Sequence, residues 1–350
     1  MSSNSFGNIF SFLSFGESHG SALGAVIEGC PAGLDFDPSV LRRWLERRRP
    51  GGALVSGRQE TDEAEILSGV YEGKTLGTPI AILVRNRDAR SEDYREIAGS
   101  PRPGHADDAW KEKFDHVDPR GGGRSSGRET VARVMAGAVA ETLARRLAPL
   151  LDVVSFAQSI GPYALSEAEE TRARAMGVRE VDAFPARFPS EARRAEIETL
   201  LLEAKREGRS YGGRARVVVR GAPAGLGQPV FRKLKADFAS AFLSVGATSG
   251  FEIGAGFAAA DGEGSEFHRR GEAPYGGVRG GISTGEEMDL RVAFKPTSSV
   301  LDVAKRGRHD PCIVPRALPV LEAMAWIVLA DHLLWRRLDR LEPGDAAGGL

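Results

Sequence analysis

The sequence predicts an α/β fold (α+β in its layering) with largely antiparallel sheets and two related halves. Short apolar or alternating runs, separated by turn residues, recur along the chain and read as strands. Longer segments of 3.6-residue period interrupt them without the regular alternation of a doubly wound parallel sheet. A weak internal repeat matches VIEGCPAGL at 26–34 with VVRGAPAGL at 218–226. Farther on, Gly69-Val70, Gly73 and Gly77 share their spacing with Gly277-Val278, Gly281 and Gly285, at an offset of 208 against 192 for the first match. One reading of the repeat is chance likeness of Gly/Pro turns. The other is a single domain, 1–350, built from two β-α-β halves of about 1–150 and 151–340 that face each other across a site.

The elements follow in order. Residues 8–14 and 22–28 read as strands flanking FGESHG, a turn that carries His19. Asp37 and Pro38 supply an N-cap and a first-turn proline for a helix over 37–49, stopped by Gly51. Its Val40, Leu41, Trp44 and Leu45 make the buried face, and Arg47, Arg48 and Arg49 fall where cations offset the helix dipole. Runs 79–85 and 151–156 read as strands. The segment 129–147 is strongly helical, and 190–208 is a helix closed by Gly208. The strand 214–220 follows, then a helix over 229–244 with Phe231, Leu234, Phe238 and Phe242 on one face. Strands at 251–257 and 289–295 precede a last long helix near 316–340.

With 350 residues the chain can bury a large core, and 41% hydrophobic with 27% charged residues is ordinary for a soluble protein. A net charge of −1 argues against a general nucleic-acid binder. Of the 47 basic residues only eight are lysine, which leaves 39 arginines, suited to bidentate binding of carboxylate and phosphate. Cys30 and Cys312 stand alone, so neither a disulfide framework nor a thiolate metal site is expected. The first ten residues lack a basic, apolar leader and no stretch reads as a membrane span, so a cytoplasmic enzyme without nucleic-acid, membrane or metal partners is expected.

The densest chemistry is PRGGGRSSGRE at 119–129. Arg120, Arg124 and Arg128 sit on a glycine-loosened backbone with Ser125 and Ser126 between them, at the start of a helix. Ser126 and Glu129 form the S-x-x-E pattern of a capping box. Flexible backbone, unpaired helix N–H groups and three guanidiniums together suggest an anion cradle. A surface loop with solvated arginines is the bland alternative. SGVYEGKTLG resembles a phosphate-binding P-loop but has Ser68 in place of the first glycine and a strand where the helix should follow. Three histidines lie in polar turns, His19, His105 in RPGHAD and His309 in GRHDPC, and are candidate acids or bases. Asp310 beside His309 is a candidate base or simply an N-cap before Pro311, and KPTSS at 295–299 is a second cluster of hydroxyls and a cation. These residues describe an enzyme acting on a polyanionic small molecule.

Taken together, FGESHG, RRRPG, RPGHAD, RGGGRSS, APAGLG, GGIS-x-G, KPTSS and GRHDPC resemble chorismate synthases, in that family's order and across nearly the whole chain. The resemblance implies a β-α-β sandwich, a homotetramer, and conversion of 5-enolpyruvylshikimate 3-phosphate to chorismate and phosphate. That reaction is a 1,4-anti elimination needing reduced FMN, with NAD(P)H only indirectly as reductant. It further implies that Arg48, Arg102, Arg128 and Arg308 hold substrate anions. Arg124, Ser125, Ser126, Gly246, Ala247, Gly280, Lys295, Pro296, Thr297, Ser298, Ser299 and Arg308 would line the flavin. His105 would protonate the leaving phosphate, His19 would manage protonation of the reduced flavin, and Asp310 would draw a proton through the flavin. The chain departs from the family pattern at Leu54, Asp108, Pro119, Gly127 and Ser249, and in a shorter loop from Val300 to Gly307. A flavin carrier or reductase, supported only by Leu54 and the shortened loop, is one rival reading; a phosphate-ligand binding module is another, against which His19, His105 and Asp310 speak, because binding alone needs no acid or base.

Overall fold

A computed structural model describes residues 3–49, 54, 62–86, 104–118, 120–269, 274–298, 300 and 310–339. The first half runs β1 (Ser5–Gly7), β2 (Ser11–Phe15), β3 (Ala22–Glu28), α1 (Ser39–Arg48) and β4 (Ala64–Ile66). The hairpin β5 (Val70–Tyr71)–β6 (Lys74–Thr75), β7 (Ile80–Arg85), α2 (Asp107–Phe114) and α3 (Thr130–Leu147) follow. The second half opens with β8 (Asp152–Ile160), β9 (Tyr163–Ala164), α4 (Glu167–Ala175), α5 (Val178–Asp182) and α6 (Arg194–Glu207). It continues through β10 (Gly213–Arg220), α7 (Leu234–Leu243), β11 (Thr248–Ile253) and α8 (Gly264–Phe267). The hairpin β12 (Val278–Arg279)–β13 (Ile282–Ser283), β14 (Met288–Phe294) and α9 (Val314–Asp339) complete it.

Two five-stranded sheets result, ordered β1-β2-β3-β7-β4 and β11-β14-β10-β8-β9, and their pairings are antiparallel. Read from opposite edges, the sheets share one plan. A central strand (β3 or β10) leads to a helix (α1 or α7) and an edge strand (β4 or β11). A small hairpin then precedes the strand that returns beside the first (β7 or β14). The matched sequences form matched hydrogen bonds. Thr75 Oγ1 donates to the Pro31 carbonyl at 2.6 Å and accepts from Leu34 N at 3.0 Å. Ser283 Oγ donates to the Pro223 carbonyl at 2.7 Å and accepts from Leu226 N at 2.8 Å. The offsets of 192 and 208 are therefore those of the repeat read from sequence.

Each half ends in a long helix, and α3 and α9 pack on each other between the sheets, α3 against β2 and β3, α9 against β8 and β10. A helix covered all round must be apolar all round. In α3 the residues Val131 to Ala140 are buried apart from Arg133, and much of its surface is Ala and Gly. A Cβ at Gly137 would lie 2.5 Å from that of Ala323, so only glycine lets the axes come this close. α9 is apolar and long enough to cross a membrane, contrary to the expectation that no stretch would be, yet that window is 100% buried inside the protein. Its apolar character is that of a core helix. Cys30 and Cys312 are free and buried, and desolvation pushes their thiols up to about 11 and about 12.

Several boundaries differ from the sequence reading. α1 starts at Ser39, and the Asp37 carboxylate accepts from the Ser39 backbone N at 2.8 Å. α7 begins only at Leu234, whose N–H donates to the Gly281 carbonyl, so residues 229–232 form a turn and Phe231 is 90% exposed rather than buried with Phe238 and Phe242. The strand expected over 251–257 ends at Ile253, because Gly254 and Gly256 take φ of 57° and 55° and turn the chain into a 3₁₀ helix at Gly256–Asp261. α6 begins at Arg194 and β8 extends to Ile160. The capping box is not made: Ser126 Oγ accepts from Arg128 N at 3.3 Å, while Glu129 reaches forward to Arg133 at 3.0 Å. The turn at 127–129 is 3₁₀, which brings N2 rather than N3 to the serine.

Candidate active site

The 120–126 loop folds back on the turn that holds His19. Gly121, Gly122 and Gly123 all have positive φ, and a Cβ at Gly121 would fall 2.4 Å from the His19 ring and 2.8 Å from Ser18 Oγ. The glycines therefore serve a close approach between two protein loops. Arg124 spans the same contact, donating to the Gly16 carbonyl at 3.0 Å and to Ser14 Oγ at 2.6 Å. Asn86, which sequence reasoning passed over, clamps the turn from the end of β7, donating to the Gly20 and Ser18 carbonyls at 2.8 and 3.2 Å. Its Oδ1 accepts from Arg128 at 3.2 Å. Arg120 instead pairs outward with Asp118 at 2.7 Å. Its hydrogen bond holds the Asp118 carboxyl below the usual carboxylate range, with a smaller contribution from His19.

Beside this loop opens a cavity of about 600 Å³ between the two halves, within the range of small-molecule sites. Arg48, His105, Arg124, Ser125, Ser126 and Asp310 face it. So do Gly246, Ala247, Lys295, Pro296, Thr297 and Ser298 from the second half. Phe6, Phe12, Val245, Ile313, Ala317 and Val320 supply an apolar wall. His19 and Arg128 are not among the lining residues but adjoin ones that are, His19 packing against Gly121 and Arg128 N donating to Ser126 Oγ. Gly280, expected beside the flavin, is not among the residues lining this cavity: with φ of 61° it forms the β12–β13 turn next to Gly281, whose own space is bounded by Lys233. Consecutive glycines at positive φ suit that hairpin turn. Arg102, Ser299, Arg308 and His309 fall outside the described residues.

The KPTS segment organises the neighbouring loops. Lys295 Nζ and Ser298 Oγ both donate to the Gly104 carbonyl at 2.8 Å, which fixes the backbone next to His105. Thr297 Oγ1 donates to the Asp310 carbonyl at 2.9 Å. His105 Nδ1 lies 2.6 Å from Asp107 Oδ1, and Arg316 NH1 lies 2.6 Å from Asp310 Oδ2. Ala247, held at φ 70°, is one of few non-glycine residues in that region and lies on the cavity wall. Asp107, Arg133 and Arg316 were not picked out in sequence. The first follows His105 within RPGHAD, while the two arginines lie in helices where composition alone hides them.

Arg47 and Arg48, in the last turn of α1, are not solvated dipole partners. Arg48 is 1% exposed and pairs with Asp62, and Arg47 pairs with Asp182 at 2.7 Å and Glu322 at 2.5 Å. His332 is buried against Asp237 at 2.9 Å, a core histidine. Among the described residues no group of three or more His, Cys, Asp and Glu side chains is placed to hold a metal ion.

An acid candidate and a carboxylate, each with a charged partner, share one cavity with several cations. That arrangement belongs to an enzyme working on an anionic small molecule. The sequence pattern of the chorismate synthase family matches residues 10–334. The chorismate synthase of Bdellovibrio bacteriovorus is 59% identical over 345 residues, which cover 97% of this chain and 100% of that protein. That of Cytophaga hutchinsonii is 41% identical over 365 residues, again 97% and 100%. A crystal structure of a chorismate synthase superposes with a TM-score of 0.77 at 34% identity, covering 94% of this chain and 93% of the other. The chain belongs to the chorismate synthase family and is an enzyme of the lyase class.

Proposed function

We propose that the cavity between the halves performs the 1,4-anti elimination of phosphate from 5-enolpyruvylshikimate 3-phosphate, giving chorismate, the last common step toward the aromatic amino acids. The observation that carries this reading is that His105 and Asp310 line one cavity with Arg48, Arg124 and Lys295. The substrate bears a phosphate and two carboxylates, and guanidiniums recognise such groups bidentately. Reduced FMN fits the same cavity: the volume suffices, the apolar wall suits a ring system, and Gly246 leaves open space where a Cβ would stand. Arg124, Ser125, Ser126, Gly246, Ala247 and the 295–299 segment would hold it. When bound, reduced FMN supplies transient electron density to the breaking C–O bond with no net redox change.

This chain's residues carry the proton chemistry and the binding. Asp107 orients the His105 ring, leaving its other nitrogen to donate a proton to the departing phosphate oxygen. Asp310, held by Arg316, accepts the proton that leaves the neighbouring ring carbon. His19, pinned by Gly121, governs proton supply near the flavin, and Arg48 and Arg128 hold substrate anions, with Arg102 and Arg308 completing that set. The protein works as one domain of two related halves, in the cytoplasm, as a homotetramer without nucleic-acid or membrane partners, its flavin reduced by NAD(P)H through an external reductant.

An anaerobic assay with chemically reduced FMN, following chorismate and phosphate together, tests the reading. Equal release of both products is expected. In His105→Ala turnover falls about 10²- to 10⁴-fold while the melting temperature holds. Tight flavin binding without chorismate would instead favour a flavin carrier or reductase.

A further inference from the structure

A buried carboxylate links the two arginines assigned above to substrate anions. Asp62 lies just before β4 at the edge of the first sheet, and its side chain is 1% exposed. Its Oδ2 lies 3.1 Å from Arg48 NH1 and its Oδ1 lies 2.7 Å from Arg128 NH1. Arg48 comes from the last turn of α1 and Arg128 from the 3₁₀ turn leading into α3, so three separate elements meet on one carboxylate. The other contacts on these arginines set their planes: Arg48 Nε donates to Thr130 Oγ1 at 3.0 Å, and Arg128 donates to Asn86 Oδ1. Two guanidiniums sharing a desolvated region repel each other, and a carboxylate between them removes that repulsion and fixes their separation. Arg48 lines the cavity, and Arg128 adjoins it through Ser126, a lining residue whose Oγ accepts from Arg128 N.

We infer that Asp62 is a positioning residue for the elimination, holding Arg48 and Arg128 at the separation and tilt at which they bind the substrate's anionic groups. The inference rests on the proposed role of those two arginines. Asp62 touches neither the cavity nor any reacting atom, and acts through the fork geometry it imposes, where displacements near 1 Å are costly.

Steady-state kinetics of Asp62→Asn, Arg48→Ala, Arg128→Ala and the double variant D62N/R48A test it, with flavin affinity and melting temperature measured alongside. In D62N the substrate KM rises about 10-fold, kcat stays within about 3-fold, and flavin affinity is unchanged. In the R48A background the D62N change raises KM by less than it does in the parent, since only Arg128 is left to position. Fold-changes in KM that multiply in the double variant would overturn the inference. So would equal losses of flavin and substrate affinity in D62N. Should R48A and R128A raise KM while D62N does not, the inference alone fails. Should R48A and R128A leave KM unchanged, the assignment of the arginines fails first and takes the inference with it. If D62N does not fold, Asp62→Glu keeps the charge but moves the guanidiniums by one methylene. A raised KM with kcat retained is then expected, and an unchanged KM overturns the positioning role.

Discussion

Single atoms decide whether the loops around His19 can meet. Gly121 has φ of 61° and no room for a Cβ against the His19 ring, so Gly121→Ala must distort the backbone, displace the histidine, or both. The expected cost is about 1–3 kcal/mol in stability and on the order of 10-fold or more in turnover. Gly127→Ala is the control: nothing lies within 4 Å of its would-be Cβ, so its melting temperature should stay near that of the parent. Thermal melts and the elimination assay on both variants check this. Unchanged activity in Gly121→Ala would sever the loop contact from the chemistry. The hydroxyls of KPTS make a related point about reading residue types. Ser298 and Thr297 point at backbone carbonyls of the loops bearing His105 and Asp310, so residues that look like phosphate ligands in sequence here build the cavity wall.

At the scale of elements, α1, α5 and α9 are tied by charge. Arg47 of α1 pairs with Asp182 at the end of α5 and with Glu322 of α9, and Arg187 closes on Asp182 at 2.6 Å. Desolvation pushes the Asp182 carboxyl up, but Arg187 and Arg47 together override it and leave it below its ordinary value. A depressed folded pKa contributes stability above the unfolded value, about 3.9, and loses it as pH falls through the folded one. Asp182→Asn is therefore expected to melt lower at pH 7 by about 2 kcal/mol. That is less than a fully buried pair would lose, because Asp182 keeps 24% exposure. The gap to the parent should narrow below about pH 4. Melts across pH 3–8 decide it, and a gap independent of pH would remove the carboxylate's charge from the explanation.

For the whole molecule, the matched hydroxyls of Thr75 and Ser283 offer a test of the two-half plan. Each is almost fully buried, at 2% and 3% exposure, and each ties a PAGL loop to its hairpin through one donated and one accepted bond. Thr75→Val and Ser283→Ala should each cost about 1–3 kcal/mol, because a buried N–H and a part-buried carbonyl lose their partner. The two losses should add within about 0.5 kcal/mol in the double variant, the sites being in separate sheets. Denaturant melts measure all three. A loss in one half alone would mean that the equivalent bonds do not carry equivalent load.

By itself the sequence determined the layered α/β class, the antiparallel strands at 22–28 and 79–85, the long helices and the repeat offsets. All of these follow from local periodicity, turn chemistry and spacing, which a chain displays without folding. It also supplied the motifs whose residues line the cavity, since Arg124, His105, Lys295 and Asp310 sit in turns rich in glycine, proline and charge. Only the tertiary structure decided that Arg48 is buried and Arg47 is half-buried in ion pairs rather than solvated, and that Phe231 faces water. It also decided that Gly280 closes a hairpin outside the cavity lining, and that Asp62, Asn86, Asp107 and Arg316 contact Arg48, the His19 turn, His105 and Asp310. Those outcomes depend on which residues distant in sequence arrive beside each other. An ion pair such as Arg48–Asp62 or Arg316–Asp310 leaves no periodic trace in the chain, because its energy comes from desolvation and geometry that exist only once the two sheets close over α3 and α9.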